Sequence, residues 1–171
     1  MIPILAIAIL FLYEPTTPTQ PISAGPSAVP KEQKAQTPQQ VTSIRRFFKT
    51  YNSVLADYAQ EFYDVSKAEG LDYRLLPAIS MVESTGARNT PSCARFNPFG
   101  WSSSTSPCGF YRFENFNQAI KTVGTGISRN RAYNRYKQTQ EISELAEIYN
   151  PGGAEKWAQD VEYFINKLNS L

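Results

Sequence analysis

With 171 residues, 42% of them hydrophobic and 13% aromatic, the chain can bury one sizeable core, and its formal charge of +2 is too small to imply nucleic acid as partner. It contains no histidine, which excludes Ser-His-Asp and Cys-His nucleophilic machinery together with His-based zinc sites. Neither a GxxxxGK loop nor a GxGxxG is present, so nucleotide chemistry is disfavoured, no cofactor or metal is expected, and acid–base work falls to carboxylates, tyrosines or lysines.

The first thirteen residues, MIPILAIAILFLY, form an apolar run too short for a confident spanning helix. They read as the hydrophobic region of an export signal, cleaved after Ala24 or Ala28, or as an uncleaved membrane anchor; the alternative is a buried N-terminal helix. Residues 14–42 hold six of the twelve prolines and no aromatic residue. Such a segment buries too little apolar surface to offset its ordering entropy, so it is expected to be a disordered, semi-extended linker.

Residues 43–171 are expected to fold as a mainly α-helical domain. A short helix covers IRRFFKTY, and a longer one carries Leu55, Tyr58, Phe62 and Val65 and stops at Gly70. Asp72 is placed to cap a third, whose stripe of Leu75, Ile79 and Val82 points at a core, with Pro77 past the first turn and able to bend it. A fourth begins at Asn115, with Gln118 three residues on, and shows Phe116, Ile120, Val123 and Ile127 on one face. Thr139 is placed to cap a fifth, carrying Ile142, Leu145, Ala146 and Tyr149. A last helix carries Trp157, Val161, Phe164 and Leu168. Period-two alternation is confined to GFYRF after Cys108, and no internal repeat occurs.

Cys93 and Cys108 bracket fourteen residues rich in Ser, Pro and Gly. In an exported chain such an isolated pair reads as a disulfide, and in a cytosolic one as two reduced thiols. Around them cluster Phe99, Trp101, Phe110 and Tyr111, flanked by Asn97 and Ser102 to Ser104. These rings and polar groups can stack on and hydrogen-bond a sugar, or they are core beneath a long loop.

Glu83 stands on the last turn of the third helix, where a negative charge opposes the helix dipole. A carboxyl at the rim of an apolar cleft has its charged form disfavoured, which makes it a competent general acid near neutral pH; the duller reading is an exposed helix-end charge. The other carboxylates find ordinary roles. Glu114 complements the N-terminus of the helix that Asn115 opens. Asp57, Glu61, Asp64 and Glu69, then Glu141, Glu144 and Glu147, and Asp160 with Glu162, read as solvated helix faces.

Taken together, GLDYRLLPAISMVESTG, then NPFGW, then FYRFENFNQAI, then IYNPGGAEKWAQDVEYF resemble the bacterial endo-β-N-acetylglucosaminidase family, also labelled mannosyl-glycoprotein endo-β-N-acetylglucosaminidase-like, of the lysozyme-like superfamily. The resemblance covers most of residues 43–171. It implies a lysozyme-like helical domain with a substrate cleft, with Glu83 of the Glu83-Ser84 dipeptide as the catalytic acid. Its N-x-F-G segment matches Asn97 to Gly100, so Asn97, Phe99, Trp101 and Ser84 are expected around the substrate. Its late tyrosine matches Tyr149, although YNPGG departs from the YNAG-like turn of the related lytic transglycosylases.

Glycosidic cleavage usually takes two carboxylates, and where the second is missing the N-acetyl group of the substrate can replace it. A lone Glu83 therefore fits an N-acetylated polymer. The expectation is a monomeric peptidoglycan glycosidase cutting next to N-acetylglucosamine, secreted or membrane-anchored at the cell envelope, with the peptidoglycan glycan strand as partner. The alternatives are a lytic transglycosylase on the same fold, an inactive wall-binding module, and a phage or secretion-system protein opening the wall locally.

Overall fold

Val41, Ile44, Phe47 and Phe48 recur at helical spacing, and they turn one face of the first helix, α1 (Gln39–Thr50), into the core. The computed structural model describes residues 38–171. The expected signal region, residues 1–13, and the expected linker up to residue 37 lie outside the described residues. Helix α1 starts four positions before the expected domain boundary at residue 43. The polar composition of TPQQVTS hid Val41, which is 0% exposed and anchors that first turn.

The expected second helix is divided. Ser53 accepts the Leu55 N–H through its hydroxyl at 3.0 Å and starts a 3-10 turn, Val54–Tyr58, which continues into α2 (Ala59–Glu69) and closes at Gly70. Asp72 then caps a turn rather than the helix itself: its Oδ1 accepts the Arg74 N–H at 2.9 Å, and α3 (Leu75–Ser84) begins one residue later. Pro77 is thus the third residue of α3. Its missing N–H falls among those that have no partner inside a helix, so the proline removes no helical hydrogen bond.

Helix α3 is the most enclosed element described. Leu75 to Met81 and Ser84 are all buried, so its apolar character runs round the helix instead of along a stripe. Each fully buried Leu or Ile there contributes about 2 kcal/mol of apolar transfer.

Asn115 caps α4 (Phe116–Arg129) as expected, its Oδ1 accepting the Gln118 N–H at 2.9 Å, while Gln118 Oε1 accepts the Glu114 N–H at 2.7 Å. A 3-10 turn (Arg131–Tyr133) and α5 (Asn134–Thr139) follow where the sequence showed no clear period. Thr139 ends α5 rather than capping the next helix, donating to the Arg135 carbonyl at 3.1 Å and accepting the Glu141 N–H at 3.2 Å. Helix α6 (Ile142–Tyr149) and α7 (Ala154–Asn169) complete the chain.

The architecture is mainly helical, with α1 on α2, α2 on α4, α3 on α7 and α6 on α7. Among the described residues there is no strand, and GFYRF contributes only one antiparallel bridge, between Ser102 and Phe110.

One carboxylate departs from the solvated role expected of it. Glu69 sits at the α2–α4 joint with its side chain 11% exposed, where Thr125, Ser128 and both Nε and Nη2 of Arg129 donate to it at 2.6 to 3.0 Å. These donors, Ser128 first, hold its pKa below the ordinary value against the opposing effect of burial. Its partners lie 56 to 60 residues away, so no local spacing reveals them.

Candidate active site

The last turn of α3 delivers Glu83, and the way that helix stops fixes where the carboxylate lies. Thr85 takes a left-handed conformation (φ 53°), with its N–H bonded to the Met81 carbonyl at 2.9 Å and the Gly86 N–H to that of Ser80 at 3.0 Å. A β-branched residue there costs roughly 1–2 kcal/mol, and the chain offsets this with a tight stop directly after Glu83-Ser84.

Ser84 fastens the stop to the following loop. It is buried, its hydroxyl lies 2.8 Å from the Pro98 carbonyl and 3.0 Å from that of Ser80, and it accepts the Ala87 N–H at 2.9 Å. Asn97 does the same inside the loop: Nδ2 donates to the carbonyls of Trp101 and Tyr111, and Oδ1 accepts the Trp101 N–H. Phe99 is 0% exposed and packs on Phe62 in the core. The side chains of Ser84, Asn97 and Phe99, expected around a sugar, are therefore spent on shaping the loop. A fully buried ring has no face to stack on a ligand, and an amide with three internal bonds has little left to offer one.

The loop then passes over Glu83 at Gly100. The backbone there has φ +60°, and a Cβ would stand 2.5 Å from Glu83 Oε2, so both conformation and space require glycine. Trp101 follows, half-buried, with its six-membered ring seated over Gly126 of α4; a Cβ at that position would come within 2.8 Å of the indole. Cys93 and Cys108 form a disulfide that closes the loop, with Cα atoms 6.7 Å apart. A disulfide suggests an oxidising, extracytoplasmic setting. No helix among the described residues is long and apolar enough to cross a membrane.

Two further elements face the carboxylate. Tyr149 ends α6, and its hydroxyl donates to the Phe99 carbonyl at 2.8 Å. Trp157 enters from the first turns of α7, and its Nε1–H donates to Glu83 Oε1 at 2.6 Å. The two rings stack at 4.9 Å and 24°, and Trp101 meets Tyr149 edge-on at 5.8 Å. An open pocket of about 230 Å³ lies beside this group, lined by Gly100, Trp101, Ser102, Tyr133, Ile148 and Tyr149.

The electrostatics follow from those neighbours. Burial among rings pushes the Glu83 carboxyl above its ordinary pKa, and the Trp157 N–H opposes this only in part. No ion pair among the described residues includes Glu83. Tyr149 is held neutral, its phenol pushed well above its ordinary value by burial first, then by the charges that Glu83 and Tyr133 would carry. The arrangement therefore holds a carboxyl that keeps its proton more firmly than an ordinary glutamate, packed behind Gly100 of the aromatic pocket. No group of three or more His, Cys, Asp or Glu able to hold a metal is found among the described residues.

The structure thus brings together Glu83, Tyr149 and Trp101 from the sequence-predicted set. It adds Trp157, which sequence reasoning missed, and it gives Gly100, expected only as the end of the N-x-F-G segment, a definite place against Oε2 of Glu83. Trp157 read as one position of an apolar stripe, and it is in fact 3% exposed; the signal that sets it apart is its N–H, since a buried indole must find an acceptor. Compared with family models, curated proteins and solved structures, the chain matches none of them.

Proposed function

We propose that this chain is a peptidoglycan glycosidase of the endo-β-N-acetylglucosaminidase kind, on a lysozyme-like helical domain, with Glu83 as its single protein acid. The observation that carries the reading is the carboxyl itself, desolvated on the last turn of α3, with a raised pKa and packed against Gly100, which lines an open aromatic pocket. The resemblance of the ES, NPFGW, FENFNQAI and IYNPGG segments to that family supplies the substrate class.

Protonated Glu83 gives its proton to the glycosidic oxygen as the bond to the anomeric carbon breaks. The carbonyl oxygen of the N-acetyl group on the same sugar bonds to that carbon and takes the place of a second carboxylate. Water then attacks the anomeric carbon, its proton returns to Glu83, and the N-acetyl group is released unchanged. Trp101 offers its indole as a platform for a sugar ring. Tyr149, neutral and with its hydrogen already donated to Phe99, keeps lone pairs on its oxygen that assist the positive charge developing in the pocket. The disulfide and the envelope location of such a substrate agree with each other.

The decisive experiment is digestion of purified peptidoglycan followed by mass spectrometry of the fragments. Reducing N-acetylglucosamine ends are expected, and Glu83→Gln is expected to lower turnover by at least about 100-fold. Anhydro-muramyl ends would replace hydrolysis by transglycosylation at the same acid. Binding of the polymer without fragments from the intact protein would overturn the enzymatic reading in favour of a wall-binding module.

A further inference from the structure

We propose that Trp157 is a positioning residue which, by donating its indole N–H to Oε1 of Glu83, confines the transferable proton to Oε2, the oxygen that lies against Gly100. This rests on the reading of Glu83 as the acid.

Two independent distances carry it. The first is the 2.6 Å bond from Trp157 Nε1 to Oε1. A neutral carboxyl has one carbonyl-type oxygen and one hydroxyl oxygen, and the carbonyl type is the better acceptor, so a short N–H bond selects Oε1 as the unprotonated one. The second is the 2.5 Å that would separate Oε2 from a Cβ on residue 100. Because residue 100 is glycine, Oε2 fills the space that a side chain there would need and rests against the one backbone position that stands between it and the pocket. The indole is also fixed in place: it is 3% exposed, belongs to the first turns of α7, and is stacked on Tyr149. The carboxyl plane is thereby set by an element that does not touch the pocket, leaving one oxygen to do the proton transfer.

The groups that act on this titration are few. Burial acts first and the indole N–H of α7 opposes it; Tyr149 of α6, kept neutral, and the Gly100 backbone of the loop bring no charge to the carboxyl. No lysine, arginine or second carboxylate is among the influences on Glu83. Since an N–H donor favours the charged carboxylate, removing it should raise the Glu83 pKa further. A general acid works while protonated, so the alkaline limb of the activity profile should then move to higher pH.

The test uses the full chain in three forms: wild type, Trp157→Phe, and a form in which the Trp157 indole is replaced by a benzothienyl ring, which keeps the shape and loses only the N–H. Carboxyl 13C NMR, with Glu83→Gln to assign the signal, reads the Glu83 titration directly. Both altered forms should titrate at higher pH than wild type. Their alkaline activity limb should follow by the same shift, and kcat should fall on the order of tenfold to a hundredfold with KM little changed. An unmoved titration in the benzothienyl form overturns the proposal, as does a loss of activity equal at every pH. If wild type itself turns over no peptidoglycan, the glycosidase reading fails, while the titration still decides what Trp157 does to Glu83.

Discussion

Glu69 and Glu83 close two different joints and have opposite surroundings. Glu69 bridges two regular helices and is met by Thr125, Ser128 and Arg129, so its charge is stabilised and its pKa lowered. Glu83 bridges a helix end and a long loop, is met by rings and a single N–H, and has its pKa raised. The same side chain becomes a structural clamp where donors converge and, where they are withheld, the desolvated carboxyl proposed as an acid. What separates the two is the balance of burial against donors: desolvation dominates at Glu83, whereas hydroxyls and a guanidinium dominate at Glu69.

The contrast requires the loop joint to be separable from the helix joint. Replacing both Cys93 and Cys108 by serine removes the closure of the loop that carries Gly100 and Trp101, and should cost about 3 kcal/mol of stability by chain-entropy reasoning for a loop of this length. The check is chemical denaturation together with amide exchange. Protection should fall at Trp101 and Tyr111, whose N–H groups are bonded inside the loop, while the amides around Glu69, Thr125 and Ser128 keep theirs. Equal loss at both joints would show that the two regions form one cooperative unit.

The reverse experiment strikes the clamp. Glu69→Ala leaves the hydroxyls of Thr125 and Ser128 and the Arg129 guanidinium without their shared acceptor, and should cost about 1–3 kcal/mol. On the proposed function, peptidoglycan turnover per folded molecule should be unchanged, because none of these groups lines the pocket. Urea midpoint and turnover measured on the same samples separate the two effects.

A smaller change sharpens the comparison on the pocket side. Gly126→Ala places a Cβ within 2.8 Å of the Trp101 indole and should tilt that ring into the pocket, costing about 1–3 kcal/mol if the neighbours cannot yield. Tryptophan fluorescence and KM for glycan fragments should both shift. Unaltered values would mean that the indole has room to slide along α4.

The residues explain why parts of this were legible beforehand and parts were not. Gly70, Asn115 with Gln118, and the apolar positions of α7 act within a few residues of themselves, so the end of α2, the start of α4 and the course of α7 follow from sequence. Glu83 stood out for a similar reason, because a carboxylate on the last turn of a helix, just before STG, violates a local preference, and the structure shows it desolvated. Trp157 bonds Glu83 from 74 residues away, and Glu69 reaches α4 across 56 to 60, so only the assembled helices identify them. Asn97 and Phe99 show the converse. Their place in a family-like segment pointed to ligand contact, whereas their burial turns them to holding the loop from inside.

The smallest expected effect distinguishes the two glutamates most cleanly, since it depends only on sign. Glu69 has a folded pKa below its unfolded value, so its contribution is present above the unfolded pKa and is lost as pH falls through the folded one. Asp72, lowered by the bonds from Arg74 against the effect of burial, acts in the same direction. Glu83 has a folded pKa above its unfolded value. Its contribution is full below the unfolded pKa and is lost as pH rises through the folded one, because ionising it inside the ring of aromatics is unfavourable. Glu69→Gln should therefore flatten the acid side of the stability profile, and Glu83→Gln should flatten the rise-in-pH side and leave the protein slightly more stable near neutral pH. Thermal melts from the acid range to neutrality on the two variants read both slopes. Slopes of the same sign would mean that the two joints treat their carboxylates alike, and with that the case for Glu83 as a desolvated acid would be lost.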